Sequence, residues 1–188
     1  MDLIDLRVKA ATCTACSLHE GRLNPVFDKG NSSASILICG MVPAQEENEA
    51  GLPFVGRAGK LLDEILARTD LTLNDVCVTN LVKCFLAAGK PLKKEWIDAC
   101  LPYVITQICI TKPKVILLLG KDAASTILNL DGKSTLASMQ GKLYEYAPGI
   151  QAIPTYHPSY LLRTGREKSP KFKDVLKHFV FAKELAYN

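Results

Sequence analysis

The sequence predicts an α/β fold of three layers, α/β/α, around a central, mainly parallel four-stranded sheet. Two patterns predict it. Short, uninterrupted apolar runs alternate with segments whose apolar residues repeat at helical spacing. The runs also lack the in–out alternation of half-solvated strands, so the sheet they build is covered on both faces. A length of 188 residues suits one well-buried domain, and no repeat, low-complexity tract or linker divides residues 1–188.

Residues 3–11 read as a short helix. "SILICG", residues 35–40, is a buried strand that stops at a glycine. Residues 57–68 set Leu61, Leu62, Ile65 and Leu66 on one helical face. "DVCVTN", residues 75–80, is a second strand. Residues 91–111 are mostly helical, with Trp96, Ala99, Tyr103, Ile105 and Ile108 on the apolar side. "KVILLLG", residues 114–120, is the most apolar strand, and a helix over 122–130 follows it. "KLYEYA" and "QAIPTYH" supply the last strands, and residues 172–187 a closing helix. Residues 20–33, 85–91 and 165–170 read as loops. Parallel sheets of this kind hold ligands beyond the carboxyl ends of their strands. Residues 40–54 follow the first strand, Asn80 ends the second and His157 ends the last, so chemistry is expected there.

A net charge of +4 permits a nucleic-acid partner without demanding one. No apolar run reaches the length of a membrane span, and Met1-Asp2-Leu3-Ile4-Asp5 is acidic where a secretory signal is basic. A cytoplasmic location is expected, nucleoid-associated or, for a viral protein, in the host cytoplasm. The seven cysteines are odd in number and follow no signal, which argues against a disulfide framework. Cys39, Cys77 and Cys109 lie in apolar runs and read as small buried hydrophobes. Cys13-x-x-Cys16, Cys84 and Cys100 lie in more polar settings. A lone CxxC also suits a redox pair, but four thiolates from two helices and a loop suit a zinc ion or an iron–sulfur cluster. The widely split second pair is easier to reconcile with a 4Fe–4S cube than with a compact zinc site.

Several stretches, in this order, resemble the family 4 uracil-DNA glycosylases, the iron–sulfur branch of their superfamily. They are Cys13-x-x-Cys16, "GxxPxxxExxxGxPFVGRAGxLL" over residues 40–62, "TNLVKC" over 79–84, Cys100, and "HPSYLLR" over 157–163. The resemblance implies an enzyme that flips uracil out of DNA and hydrolyses its N-glycosidic bond. An abasic site would be left for base excision repair. It implies a structural 4Fe–4S cluster on Cys13, Cys16, Cys84 and Cys100. Phe54 matches the family's stacking aromatic, and Asn80 its uracil-reading amide. His157 matches the histidine that hydrogen-bonds O2 of the leaving base. Gly40 and Met41 lie on the tight first turn against the base and sugar. "HPSYLLR" matches a minor-groove loop. Pro158 and Ser159 would meet phosphates, Tyr160, Leu161 or Leu162 would wedge into the duplex, and Arg163 opens a basic stretch with Arg166, Lys168, Lys171 and Lys173. Taken singly, a Phe after Pro packs cores, an Asn at a strand end makes turns and a His before Pro sits in loops. Their shared place at strand ends, in family order, carries the reading.

The first motif departs from the family pattern. Met41 stands where most members carry Glu, and Ala44 where they carry Gly. Met41 can neither accept a proton nor balance a cationic sugar. Glu46, Glu47 and Glu49 are the nearby carboxylates, and Glu47 is expected to position water beside His157. Slower chemistry or a shifted substrate range follows. "KCFLAAGKP" also departs from the family's proline-rich form. Met41 and Ala44 keep open a rival, a weakened or inactive glycosylase fold that binds DNA or a replication or repair partner. An iron–sulfur redox sensor is a third reading, but it leaves Phe54, Asn80 and His157 unexplained. The expected substrate is uracil-containing DNA, acted on by a monomer without membrane contact.

Overall fold

A computed structural model describes residues 1–131 and 133–187. Its six strands are β1 (Asp28–Gly30), β2 (Ile36–Gly40), β3 (Val76–Asn80), β4 (Val115–Leu119), β5 (Tyr144–Ala147) and β6 (Ile150–Thr155). They form one sheet in the order β1-β3-β2-β4-β6-β5. The four inner strands run parallel, as the sequence predicts. Two antiparallel edges extend them, β1 on β3 and β5 on β6. The β1 edge falls inside the stretch read as a loop, because three residues with one charge of each sign carry no strand pattern.

The uninterrupted apolar runs divide by the two-residue period of a strand. Ile36, Ile38, Val76, Val78, Val115, Leu117 and Leu119 face one core. Leu37, Cys39, Cys77, Ile116 and Leu118 face the other. The first core is closed by α3 (Arg57–Arg68), α7 (Pro158–Arg163) and α8 (Pro170–Tyr187). In α3 the predicted face of Leu61, Leu62, Ile65 and Leu66 is buried. The opposite core is covered by α4 (Lys94–Thr111), α5 (Lys121–Ile127) and α6 (Leu136–Met139). A third cluster joins α1 (Leu3–Ala11) to α4 through Leu6, Ala10, Trp96 and Tyr103. The acidic start of the chain is used locally: Asp2 and Asp5 form a reciprocal capping box at the start of α1.

Three expectations are corrected. Ile105, placed on the apolar side of its helix, is 40% exposed. Cys109, read as a buried hydrophobe, is exposed, whereas Cys39 and Cys77 are buried. Residues 158–163 are a helix and not a loop. Six residues are too few for a helical period to show in sequence, yet Pro158 at its first turn needs no N–H partner and His157 caps it. Among the described residues, no helix is long and apolar enough to cross a membrane.

Candidate active site

The carboxyl ends of the parallel strands open into a cavity of about 370 Å³, lined by Met41, Glu47, Phe54, Asn80 and His157, among others. Gly40 ends β2 and Asn80 ends β3 at paired positions. A Cβ on Gly40 would sit 2.5 Å from Asn80 Oδ1 and 2.5 Å from Phe54 Cζ. The amide and the ring therefore close over a backbone that only glycine provides. Phe54 lies between α2 (Gln45–Ala50) and α3 with φ of 54°, a left-handed conformation that costs a bulky residue energy. Its carbonyl is held by Lys29 Nζ at 2.7 Å. Gly59 lets α3 abut the same carbonyl, since a Cβ there would overlap it.

His157 faces Phe54 with ring centroids 5.6 Å apart and planes tilted by 32°. The Ser159 N–H donates to His157 Nδ1 at 3.1 Å. Nδ1 is thus an acceptor, and the neutral ring carries its proton on Nε2. Part of the ring is open to the cavity, but it sits deep among protein atoms. That burial pushes its pKa down to about 4, with the Arg163 charge adding to the effect and Glu47 opposing it. At neutral pH the site therefore presents an uncharged donor.

Glu47 Oε1 accepts the N–H groups of Val55 and Gly56, each at 2.9 Å. Its Oε2 accepts the Ala44 N–H at 3.1 Å. A buried carboxylate that accepts three backbone N–H groups braces the loop that carries Phe54. Glu47 lines the cavity as well, so these bonds also fix where its carboxylate stands beside His157.

Cys13, Cys16, Cys84 and Cys100 line one small pocket between α1, the segment after it, the exit of β3 and α4. Donors face two of the sulfurs. Lys83 N–H reaches Cys100 Sγ at 3.2 Å, and Arg22 Nη1 reaches Cys84 Sγ at 3.4 Å. Among the described residues, no three His, Cys, Asp or Glu side chains are close enough to share a single metal ion.

A family model described as the uracil DNA glycosylase superfamily matches residues 27–179. The chain is 38% identical over 184 residues to the type-4 uracil-DNA glycosylase of Pyrobaculum aerophilum, covering 95% of this chain and 94% of that protein. It is 40% identical to the type-4 enzyme of Thermotoga maritima, over 87% of this chain and 83% of the relative. The type-4 enzyme of Archaeoglobus fulgidus is 36% identical over 85% of this chain and 83% of its own. The chain belongs to the type-4 uracil-DNA glycosylases. This type-4 chain gathers Met41, Phe54, Asn80 and His157 from distant segments into one cavity, with the Gly40 backbone close against Asn80 and Phe54.

Residues 158–163, expected to meet the minor groove, divide more sharply. Ser159 lines both the cavity and an adjoining groove that Arg57, Leu162 and Arg163 also line. Pro158 is buried. Tyr160 stacks on Tyr156 at 5.1 Å. Leu161 is 0% exposed and packs in the core on the inner face of α7, so it is not available as a wedge. Two of the basic residues beyond it are already paired: Arg166 with Glu64 at 2.7 Å, and Lys171 with Asp174 at 3.6 Å. Sequence reasoning missed Gly120, Lys121 and Asp122, which line the cavity beyond β4. The signal was present, because "KVILLLG" is a strand ending in glycine and the rule that flagged the other strand ends applies to it equally.

Proposed function

We propose that this type-4 chain flips uracil out of DNA and hydrolyses its N-glycosidic bond, leaving an abasic site in base excision repair. The observation that carries the reading is the convergence of Phe54, Asn80 and His157 on one cavity over the Gly40 backbone. An extruded pyrimidine stacks on the Phe54 ring. The Asn80 amide both donates and accepts, so it pairs with O4 and N3 of uracil, whereas cytosine presents the wrong donor–acceptor pattern. His157 Nε2–H donates to O2 as negative charge builds on the departing base. A preorganised donor of this kind contributes roughly 3 kcal/mol to a transition state. A neutral imidazole serves because the hydrogen bond strengthens with the charge and no proton need move. Arg57, Ser159 and Arg163 border the groove beside the cavity and suit the phosphate backbone, with Tyr160 and Leu162 left as the wedge.

The same reading assigns a 4Fe–4S cluster to Cys13, Cys16, Cys84 and Cys100. Four thiols around one pocket supply the all-sulfur ligand set that such a cluster takes. When bound, the cluster supplies cross-linking of the segments that carry the cysteines, and the hydrolysis is left to the cavity residues.

Met41 favours a second reading, a protein that binds uracil-DNA without cutting it, because Glu47 is committed to the backbone. Incubation with a uracil-containing oligonucleotide, then alkali, separates the two. The glycosylase reading expects strand cleavage that falls about 100-fold or more in His157→Ala. Retained binding with no cleavage by the unmodified protein would establish the second reading instead.

A further inference from the structure

Lys83 is 2% exposed, an amine placed where an apolar side chain of similar length would escape the cost of desolvation, and burial pushes its pKa down. Nζ faces four acceptors, the longest contact being 3.4 Å to the Phe27 carbonyl. Nζ lies 2.6 Å from Thr79 Oγ1, 2.8 Å from the Asn80 carbonyl and 3.2 Å from Gln107 Oε1. The Thr79 hydroxyl donates a hydrogen bond to the Phe27 carbonyl at 2.6 Å, which leaves its lone pairs facing Lys83. Beyond Gln107 the chain of bonds continues through Asp28 at 3.1 Å to Arg7. Lys83 thereby grips the last two residues of β3, one of which is the amide that faces the cavity. Its own peptide N–H meanwhile donates to Cys100 Sγ at 3.2 Å. One residue thus connects the cysteine pocket with the strand end that bears Asn80, although its side chain does not line the cavity.

We propose that Lys83 is a positioning residue for base recognition: by fixing the Thr79 hydroxyl and the Asn80 peptide it sets the direction in which the Asn80 amide enters the cavity. This rests on the reading of that cavity as a uracil site. A lysine retained only for stability would be matched by a well-packed apolar replacement. A lysine that aims Asn80 loses its effect once the Asn80 amide is gone.

A double-mutant cycle on binding separates these roles. The probe is a DNA oligonucleotide carrying 2′-fluoro-2′-deoxyuridine, whose glycosidic bond resists hydrolysis, compared with the same oligonucleotide carrying cytosine. Lys83→Met is expected to lower the uracil-over-cytosine preference about tenfold, the scale of a lost hydrogen bond. Combined with Asn80→Ala, it should lower the preference no further than Asn80→Ala alone. Combined with His157→Ala, its effect should multiply. Thr79→Val removes one acceptor while leaving the Lys83 N–H to Cys100 in place, and should shift the preference in the same direction by about threefold. It serves alone if Lys83→Met does not fold. Full preference in the single variants, or multiplied losses with Asn80→Ala, overturns the role of Lys83. An unmodified protein with no preference for uracil overturns the base-reading site itself, and with it the proposed function.

Discussion

His157 shows how one side chain ties pH to stability. Its folded pKa of about 4 lies below the ordinary value of 6.5, so between those limits the unfolded chain binds the proton that the folded one refuses. The stability contributed by the neutral ring is complete above about pH 6.5 and drains away as pH falls towards 4. Compared with His157→Asn, the protein should lose up to about 3 kcal/mol across that window, read by denaturant unfolding at pH 7.5 and 4.5. Parallel curves for the two proteins would refute the depressed pKa. Gly40 is as demanding sterically. Gly40→Ala drives a methyl into Asn80 Oδ1 and Phe54 Cζ, and should cut cleavage about 100-fold or more with the sheet intact. Met41 reverses the direction of prediction. It lines the cavity where the family pattern has a carboxylate, so Met41→Glu should raise the single-turnover rate about tenfold. An unchanged or slower rate would mean that the cavity no longer uses a carboxylate at that point. That Phe54, Asn80 and His157 share one cavity was legible in the sequence, because the family resemblance singled them out and they sit at strand ends. Leu161 was not, because whether a leucine in a short helix faces the core or the solvent depends on the docking of that helix.

At the scale of elements, the stretch from Met41 to Gly59 is a bent strap held from three sides. Glu47 ties α2 to the turn before α3, Lys29 on edge strand β1 holds the Phe54 carbonyl, and Gly59 lets α3 close on it. The left-handed backbone of Phe54 persists because these contacts over-determine it. The glycines and the glutamate of the strap were visible as a motif, but the reason for Glu47 was not, since hydrogen bonds to backbone N–H leave no trace in residue order. Nor was β1, which is too short for a period and matters for one lysine. Glu47→Gln replaces an acceptor oxygen with a donor that cannot serve both ends of the brace, leaving a buried N–H unpaired or a donor facing a donor. The expected result is a loss of about 1–3 kcal/mol in stability and at least about tenfold in cleavage rate. If Glu47 acted on water alone, the rate would fall with no change in melting temperature, and the bracing role would fail.

Over the whole molecule, two regions are held by different physics. The sheet and its two apolar cores need no further support, and they were legible because strands buried on both faces write themselves as unbroken apolar runs. The corner of α1 is thinner. Leu6 and Ala10 pack on α4, Arg7 pairs with Asp28 at 2.9 Å, and the Tyr103 hydroxyl donates to the Lys9 carbonyl at 3.3 Å. The outer face of that helix leaves Ile4 and Val8 exposed, so little apolar area holds it down. Four cysteines bracket this corner from both sides of the Asn80 segment, and a group bound to them would supply the missing cross-link. With the proposed iron–sulfur cluster as that group, removing iron by chelation, or replacing Cys84 with serine, should act locally. Amide exchange in α1 and in residues 13–27 should rise about tenfold or more, while β2 and β4 keep their protection. Lys83 lies between these regions, so its own amide, bonded to Cys100 Sγ, should be the first in the β3 exit to exchange faster. A uniform rise across the sheet would instead make the cysteine site part of the global core, and an α1 indifferent to iron would remove the cross-link altogether.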